Sequence, residues 1–266
     1  MDLITSSQFF KRDFIFTIKN YREVIPFIRK NKIWKGFFDY SWVTKFSLLI
    51  GILVSLKFTG VFNDFFNQTS EQGMSFNSVG NLVGNTIDEG YDLFKMSGFK
   101  YAILILLEVV IFHFARKTLE ILNGEKAEAN LDSFIQAQVR MFKVVLFAYV
   151  METVATVLVG VGLSILGIGV IKPVLSFVIH CFFLGFVIVD NYNEIYHMSI
   201  KQSFKYTRQY TGVSIGIGIV VYALMLLPVL GALLAPLLAA VTATITMYEL
   251  DKKDNSLEEV FVENAF

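Results

Sequence analysis

Cysteine and histidine are scarce in this chain of 266 residues, which contains one of the former and three of the latter. The single Cys181 has no partner for an intramolecular disulfide, and its apolar surroundings are typical of a small buried side chain. His113, His180 and His197 are not spaced with cysteines or carboxylates as metal ligands are. The sequence therefore predicts neither a disulfide scaffold nor a structural metal site.

An excess of charge of one sign is also missing. Lysine and arginine total 23, aspartate and glutamate total 23, and the formal net charge is zero. The overall charge therefore gives no support for binding to nucleic acid. The sequence also lacks a phosphate-binding glycine loop, a nucleophile elbow and a pair of catalytic carboxylates, so we predict neither an enzyme nor a cofactor.

Hydrophobic residues, by contrast, make up 55% of the chain, and phenylalanine alone supplies 27. One soluble domain of this length cannot bury so much apolar side chain, so lipid is expected to solvate much of it. Basic residues such as Lys11 and Arg12 interrupt the apolar positions of the first thirty residues, which excludes a secretory signal peptide. We predict an all-α membrane protein that forms one membrane domain over residues 1–266.

Residues 1–30 are predicted to form an amphipathic helix on a membrane surface. Apolar side chains recur every three or four positions from Phe10 to Ile28, while basic residues fall mostly elsewhere around the helix. Pro26 is expected to bend or end this helix, and a basic cluster that includes Lys35 follows it.

Two long transmembrane helices are predicted at residues 43–62 and 96–122, because each apolar run reaches the length needed to cross a bilayer. The polar, glycine-rich residues 63–95 between them are predicted to form an outer loop. The second helix is expected to project beyond the bilayer and to end near Asn123 and Gly124.

Two helical hairpins are predicted in the second half of the chain. Residues 144–189 are too long for one span and contain a glycine-rich turn, while residues 213–248 are interrupted by Pro228 and Pro236. A short basic helix at residues 199–210 separates the hairpins, and residues 249–266 form a charged tail.

The basic residues also predict an orientation. Nine of them precede or begin the first long helix, whereas only Lys95 lies in the predicted outer loop. Further basic residues follow the second long helix, separate the hairpins and occur in the tail, so both termini are expected in the cytoplasm. Two crossings and two hairpins that begin and end inside satisfy this pattern. Segment length leaves open whether the hairpins cross fully or only in part.

Residues 182–248 contain a distinctive passage. Asp190 is followed by an aromatic and polar stretch, Ser203 and Phe204 open the short basic helix, and a glycine- and serine-spaced segment begins at Ser214. Pro228 and Pro236 are then followed by a run of small residues. This passage resembles the CysZ/etoposide-induced-protein family of membrane proteins, whose best-described bacterial branch moves sulfate across the inner membrane.

The resemblance implies a bacterial inner-membrane permease or channel for sulfate or a related small anion, surrounded by lipid and assembled as a homo-oligomer. Short hairpins with exposed flanks favour a homo-oligomer on physical grounds too. The family's sulfate permeases carry a glycine, aliphatic, arginine motif before the first membrane helix. Here Lys35 takes the place of the arginine, and no glycine precedes it. A non-transporting membrane scaffold or membrane-shaping protein of the same fold is the alternative.

Polar side chains inside the apolar segments are candidates for function. Glu108 and Glu152 lie where an ionised carboxylate must be paired, protonated or in contact with water. Each is either a proton-responsive or gating group, or a helix-packing partner of Lys57, Lys172 or His180. His180 itself lies in an apolar run and is the third such polar candidate.

Basic residues at helical spacing are the candidates for binding an anion. One group lies on a face of the second long helix where it leaves the membrane, and another on a face of the short helix before the last hairpin. Anchoring at the cytoplasmic side and contact with lipid headgroups explain the same residues. The anion-binding candidates are Lys35, Arg116, Lys201, Lys205 and Arg208.

Overall fold

The computed structural model describes residues 3–34, 99–124, 131–225 and 230–254. The predicted first long helix, the predicted outer loop and Lys35 lie outside these residues. All regular secondary structure within the described part of the chain is helical, which confirms the predicted all-α fold class. Its α-helices are α1 (Leu3–Asn31), α2 (Phe99–Asn123), α3 (Leu131–Ile165), α4 (Lys172–Ile195), α5 (Ile200–Thr207), α6 (Thr211–Met225) and α7 (Leu230–Asp254).

Several helices extend beyond the apolar segments that predicted them. α3 begins 13 residues before the predicted hairpin at residues 144–189, and α4 continues six residues past it. In these added turns Arg140 of α3 pairs with Asp190 and Glu194 of α4, and hydropathy does not mark such polar contacts. α1 does not end at Pro26 but continues to Asn31. Pro26 lies on an exposed face, where solvent can replace the backbone hydrogen bond that proline removes.

A tight turn joins α3 to α4. Gly167 has a φ of 70°, a left-handed conformation that favours glycine. The amide of Ile168 donates to the carbonyl of Leu163 at 3.1 Å and the amide of Gly167 donates to that of Ser164 at 3.2 Å, which is a Schellman motif. Pro173 lies in the first turn of α4, where its missing N–H is not needed. Glycine and proline therefore end one helix and begin the next.

The outer face of α3 is an uninterrupted apolar stripe. Its eight side chains recur every three or four residues, and each is at least 47% exposed. From first to last they cover about 39 Å at 1.5 Å per residue, enough for the roughly 30 Å hydrocarbon layer of a bilayer. Residues Gln136–Ile165 and Gly169–Ile195 are the two described helical segments long and apolar enough to cross a membrane. The stripe consists of Val139, Phe142, Leu146, Val150, Val154, Val157, Val161 and Ile165.

α6 is packed between α4 and α1 through small residues on opposite sides. On one side, a Cβ at Gly218 would lie 1.9 Å from the carbonyl oxygen of Cys181, and a Cβ at Gly185 of α4 would lie 1.9 Å from that of Ser214. On the other side, a Cβ at Gly212 would lie 2.4 Å from the carbonyl oxygen of Phe10 in α1. The backbones therefore touch at both crossings, and larger side chains would separate the helices.

α1 packs along α6 and α7 through a largely polar stripe. Asp13, Thr17, Asn20 and Val24 are buried at a spacing of three or four residues. The Asn20 side-chain amide donates to the hydroxyl of Thr246 in α7 at 3.0 Å. These contacts fix α1 against the bundle, and its position at a membrane surface stays a prediction.

α5 is a short amphipathic helix attached to α4. Ser199 and Gln202 form a capping box, in which each side chain bonds the backbone amide of the other residue. Phe204 packs among four rings of α3 and α4, with ring centroids 5.2 to 6.2 Å away. The hydroxyls of Tyr206 in α5 and Tyr192 in α4 both donate to buried Asp251 of α7. These bonds place α5 against the ends of α4 and α7.

Candidate functional site

A buried polar cluster lies where the ends of α3 and α4 meet α2 and α5. Every one of its side chains is at most half exposed, and most are almost fully buried. We call this group the Arg140 cluster. It consists of Glu108 in α2, Arg140 in α3, Asp190, Asn191, Asn193 and Glu194 in α4, and Ser203 and Thr207 in α5.

The guanidinium of Arg140 organises the cluster. Its Nε and Nη2 donate to the two carboxylate oxygens of Asp190 at 3.0 and 2.9 Å, and its Nη1 donates to the carbonyl of Met198 at 2.6 Å. A carboxylate oxygen of Glu194 lies 3.7 Å from Nε. The side chains of Arg140 and Asp190 are 17% and 4% exposed, so little water screens this pair. One cation thus links α3, α4 and the start of α5.

Hydroxyl and amide groups complete the link to α5. The Ser203 hydroxyl donates to the Asp190 carboxylate. The Asn193 amide donates to the hydroxyls of Ser203 and Thr207 at 2.9 and 3.1 Å. Asn193, Ser203 and Thr207 are fully buried. Since buried polar groups are costly unless bonded, these bonds make the docking of α5 specific.

Glu108 enters the same cluster from α2. Its side chain is 1% exposed and lies beside the side chain of Asn191. The charges of Asp190, Glu194 and Arg140 act on it most strongly. Arg140 therefore faces more than one carboxylate, and the cluster has no excess of positive charge with which to hold a free anion.

A second polar site lies nearer the turn of the α3–α4 hairpin. The Oε1 atom of Glu152 is 2.6 Å from Nδ1 of His180, and its Oε2 accepts a hydrogen bond from the hydroxyl of Tyr101 in α2. The Glu152 side chain is 3% exposed and that of His180 is 29% exposed. Of the partners considered from the sequence for the intramembrane carboxylates, His180 contacts Glu152, whereas Lys57 lies outside the described residues.

The candidate cations of α5 share one outer face. Lys201, Lys205 and Arg208 are exposed, while Ser203, Tyr206 and Thr207 are buried on the other side of the helix. Arg116 lies half-buried in α2, and its neighbour Lys117 forms an ion pair with Glu120 at 2.8 Å. Lys35, the remaining anion candidate, lies outside the described residues. Within the described residues, no group of three His, Cys, Asp or Glu side chains could hold a metal ion.

Sequence reasoning did not single out Arg140 and Asp190 as a pair, although the sequence contains a signal for it. Arg140 lies 25 residues before Ile165, and Asp190 lies 25 residues after it. Glu152 and His180 are likewise equidistant from Leu166. In an antiparallel hairpin, residues equidistant from the turn are neighbours. A turn placed at residues 165–166 would therefore have predicted both pairs.

Comparison with known proteins places the chain in a family. The family model described as sulfate transporter CysZ/etoposide-induced protein 2.4 matches residues 14–236, which is well over half of the chain. A search of curated proteins and a search of solved structures each gave no significant match. The matched range contains α1 from residue 14 onward, all of α2 through α6, the start of α7 and all of the Arg140 cluster.

Proposed function

We propose that this chain, which belongs to the family of sulfate transporter CysZ and etoposide-induced protein 2.4, is a permease or channel for sulfate or a related small anion. The observation that carries the proposal is the family match over residues 14–236. The family is described as one of transporters, and the apolar stripe of α3 is suited to lipid. The finer assignment to an inorganic anion rests on the distribution of charge.

The exposed face of α5 is the proposed collecting surface for the anion. Lys201, Lys205 and Arg208 present three positive charges at a spacing of four and three residues. Arg140 bonds the carbonyl of Met198, directly before the N-cap residue Ser199, so the start of α5 is held at the Arg140 cluster while this face points away from it. Positive charge at the mouth of a pathway raises the local concentration of anions and their rate of entrance.

Arg140 itself has a different proposed role. Its bonds to Asp190 and to the α5 segment hold the collecting surface against the hairpin, so a movement of α5 would have to break them. The sequence contains no nucleotide-binding motif, and transport would therefore follow an ion gradient or the gradient of the anion itself.

The cellular setting is part of the proposal. The family match supports a membrane, which we propose to be the bacterial inner membrane, and the distribution of basic residues supports an orientation with both termini in the cytoplasm. A homo-oligomer is supported by the outward apolar stripe of α3, which a second copy of the chain or lipid can cover.

A membrane scaffold is the second candidate function. The neutralisation of Arg140 by Asp190 and Glu194 favours it, because no unpaired buried cation of the Arg140 cluster is left to bind an anion. A scaffold needs only the amphipathic α1 and the apolar hairpin, both of which the chain has.

Uptake of radiolabelled sulfate into proteoliposomes separates the two. Vesicles that contain the full chain are compared with protein-free vesicles of the same lipid and size, and unlabelled phosphate, thiosulfate and chloride are tested as competitors. We expect protein-dependent uptake that saturates as the sulfate concentration rises. Unlabelled anions that bind the protein should reduce this uptake. Sulfate and each competitor, tested in labelled form, could instead enter no faster than into protein-free vesicles. That result would contradict the permease and favour the membrane scaffold.

A further inference from the structure

The two buried glutamates of the bundle differ in their hydrogen bonding. Both carboxylate oxygens of Glu152 are bonded, one to His180 and the other to Tyr101. Glu108 is as deeply buried, but its Oε2 has no hydrogen-bond partner among the described residues. An ionised carboxylate with a bare oxygen at such a depth is strongly unfavourable. Glu108 therefore lacks a donor that its environment should supply.

Asn191, which lies beside Glu108, also has a buried oxygen without a hydrogen-bond partner among the described residues. Its side chain is 2% exposed, and its Oδ1 is also without a partner in the described part of the chain. Its Nδ2 makes long contacts of 3.4 Å with the carbonyls of Val187 and Ile188, and its side chain lies beside that of Glu108. Both orphaned atoms are acceptors, so neither can bond the other without an added proton.

One proton satisfies both atoms. A carboxylic acid at Glu108 can donate from Oε2 to the Asn191 carbonyl while its other oxygen accepts from the Asn191 amide, which forms a closed acid–amide pair. The same proton removes a negative charge from a crowded site. Asp190 and Glu194 already face Arg140, so an ionised Glu108 would be a third carboxylate around one guanidinium.

We propose that Glu108 and Asn191 form a proton-binding site inside the bundle. The charged groups that face it are Arg140 from α3 and Asp190 and Glu194 from α4. α7 also packs on α2, and its charged residues occur only from Glu249 onward. On the basis of the proposed anion transport, release of this proton would place negative charge beside the start of α5 and hinder the anion. Uptake would then increase as the pH falls.

Infrared difference spectroscopy of the full chain in lipid tests the site directly. We expect the wild-type spectrum at neutral pH to contain the carbonyl band of a buried carboxylic acid. The band is expected to be lost in Glu108→Gln and retained in the matched control Glu152→Gln. A wild-type spectrum without such a band, or an unchanged band in Glu108→Gln, would overturn the proposal.

A second variant keeps the proposal testable if Glu108→Gln fails to fold. Asn191→Leu leaves the acid in place but removes the amide that bonds it, so the carbonyl band should shift to a higher frequency. A band at the wild-type position in Asn191→Leu would show that the acid and the amide are not paired.

The role of the site in transport is tested separately. A glutamine amide at position 108 can donate to and accept from Asn191 as the acid does, but it cannot release a proton. We expect sulfate uptake to depend on pH in the wild type and to lose that dependence in Glu108→Gln. The same pH dependence in both proteins would remove Glu108 from the control of transport. Absence of uptake in the wild type would count against the anion permease, whereas the infrared result would stand on its own.

Discussion

Arg140 and Asp190 are joined by two hydrogen bonds, although 50 residues separate them in the chain. The pair lies at the end of the α3–α4 hairpin that is opposite the turn, and Ser203 of α5 bonds the same carboxylate. A fork-shaped guanidinium matches the two oxygens of a carboxylate, which a lysine cannot do. The pair therefore fixes both the register of the hairpin and the position of α5.

Removing one partner of this pair should cost more stability than removing both. Arg140→Ala leaves the buried carboxylate of Asp190 without its cation, and we expect a loss of about 3 to 5 kcal/mol in the free energy of unfolding. Asp190→Ala leaves Arg140 with the more distant Glu194, so its loss should be smaller. The double variant Arg140→Leu/Asp190→Leu should lose less than Arg140→Ala. Unfolding of the purified protein by a denaturing detergent measures these changes.

The ion pair of Lys117 and Glu120, in which the lysine side chain is 41% exposed, provides the control for this cycle. Lys117→Ala and Glu120→Ala should each change stability by less than about 1 kcal/mol, since surface pairs contribute little. Additive losses at Arg140 and Asp190 would show that the two residues do not act as a pair.

The crossing of α4 and α6 should not tolerate a side chain. In Gly185→Ala and Gly218→Ala the added methyl group would overlap a backbone carbonyl oxygen, so the helices must move apart. We expect a loss of about 3 kcal/mol or more for each variant, at the upper end of the cost of overpacking.

Gly162 in α3 is a matched control for these variants, because no atom lies within 4 Å of the position of its Cβ. Gly162→Ala should raise stability slightly, by roughly 0.5 to 1 kcal/mol, through its better helix propensity. Thermal unfolding in one detergent compares all three variants. Equal stability of Gly218→Ala and Gly162→Ala would contradict the close crossing.

The cations of α5 should control anion uptake without controlling the fold. Lys205→Ala and Arg208→Ala remove exposed charges, so both variants should insert into the membrane as the wild type does. We expect the double variant to lower sulfate uptake about tenfold at low ionic strength, with a smaller difference at high salt. Lys205→Arg and Arg208→Lys keep the charge and should keep the uptake. Unchanged uptake in both alanine variants would remove this face from the pathway.

Asp13 in α1 should make stability depend on pH. Burial raises the pKa of its carboxyl group, although the adjacent Arg12 acts in the opposite direction. The folded chain therefore holds this proton more tightly than the unfolded chain. The free energy of unfolding should fall as the pH rises from the ordinary aspartate value of about 3.9 through the higher folded value.

Asp13→Asn should abolish this part of the pH dependence and raise the melting temperature at neutral pH. Asp254→Asn is the control, because Asp254 also bonds Arg12 but is 29% exposed where Asp13 is 1% exposed, and its ion pair should contribute less than about 1 kcal/mol. Thermal unfolding measured at several pH values distinguishes the variants. A wild-type slope in Asp13→Asn would assign the dependence to another group.

The helical fold could be predicted because apolar runs and their breakers report it directly. Gly167 and Pro173 stand where α3 ends and α4 begins, within the region from which a turn and a return were predicted. Apolar runs and their breakers do not predict the start of α3 at Leu131. Hydropathy reports which residues contact lipid, whereas a helix continues wherever its backbone bonds continue and its polar side chains find partners.

The candidate site was only partly accessible from sequence. Glu108 and Glu152 stood out because charge in an apolar run is conspicuous. Arg140 did not, because an arginine at the edge of such a run has the ordinary explanation of cytoplasmic anchoring. Its bond to Asp190 depends on the register of the hairpin, and that register depends on the turn at Leu166 rather than on either charged residue. Pairing across helices is a property of the fold, which local patterns do not contain.

The glycines on the two sides of α6 also have a consequence for how the protein is made. α1 leaves the ribosome well before its backbone partner Gly212, which is synthesised about 200 residues later. At roughly 5 to 20 residues per second, α1 waits on the order of 10 to 40 s before the surface on which it docks has been made. During that interval an amphipathic segment can adsorb to lipid headgroups. The amphipathic pattern that predicted a surface helix therefore also suits a helix that docks on the bundle late in synthesis.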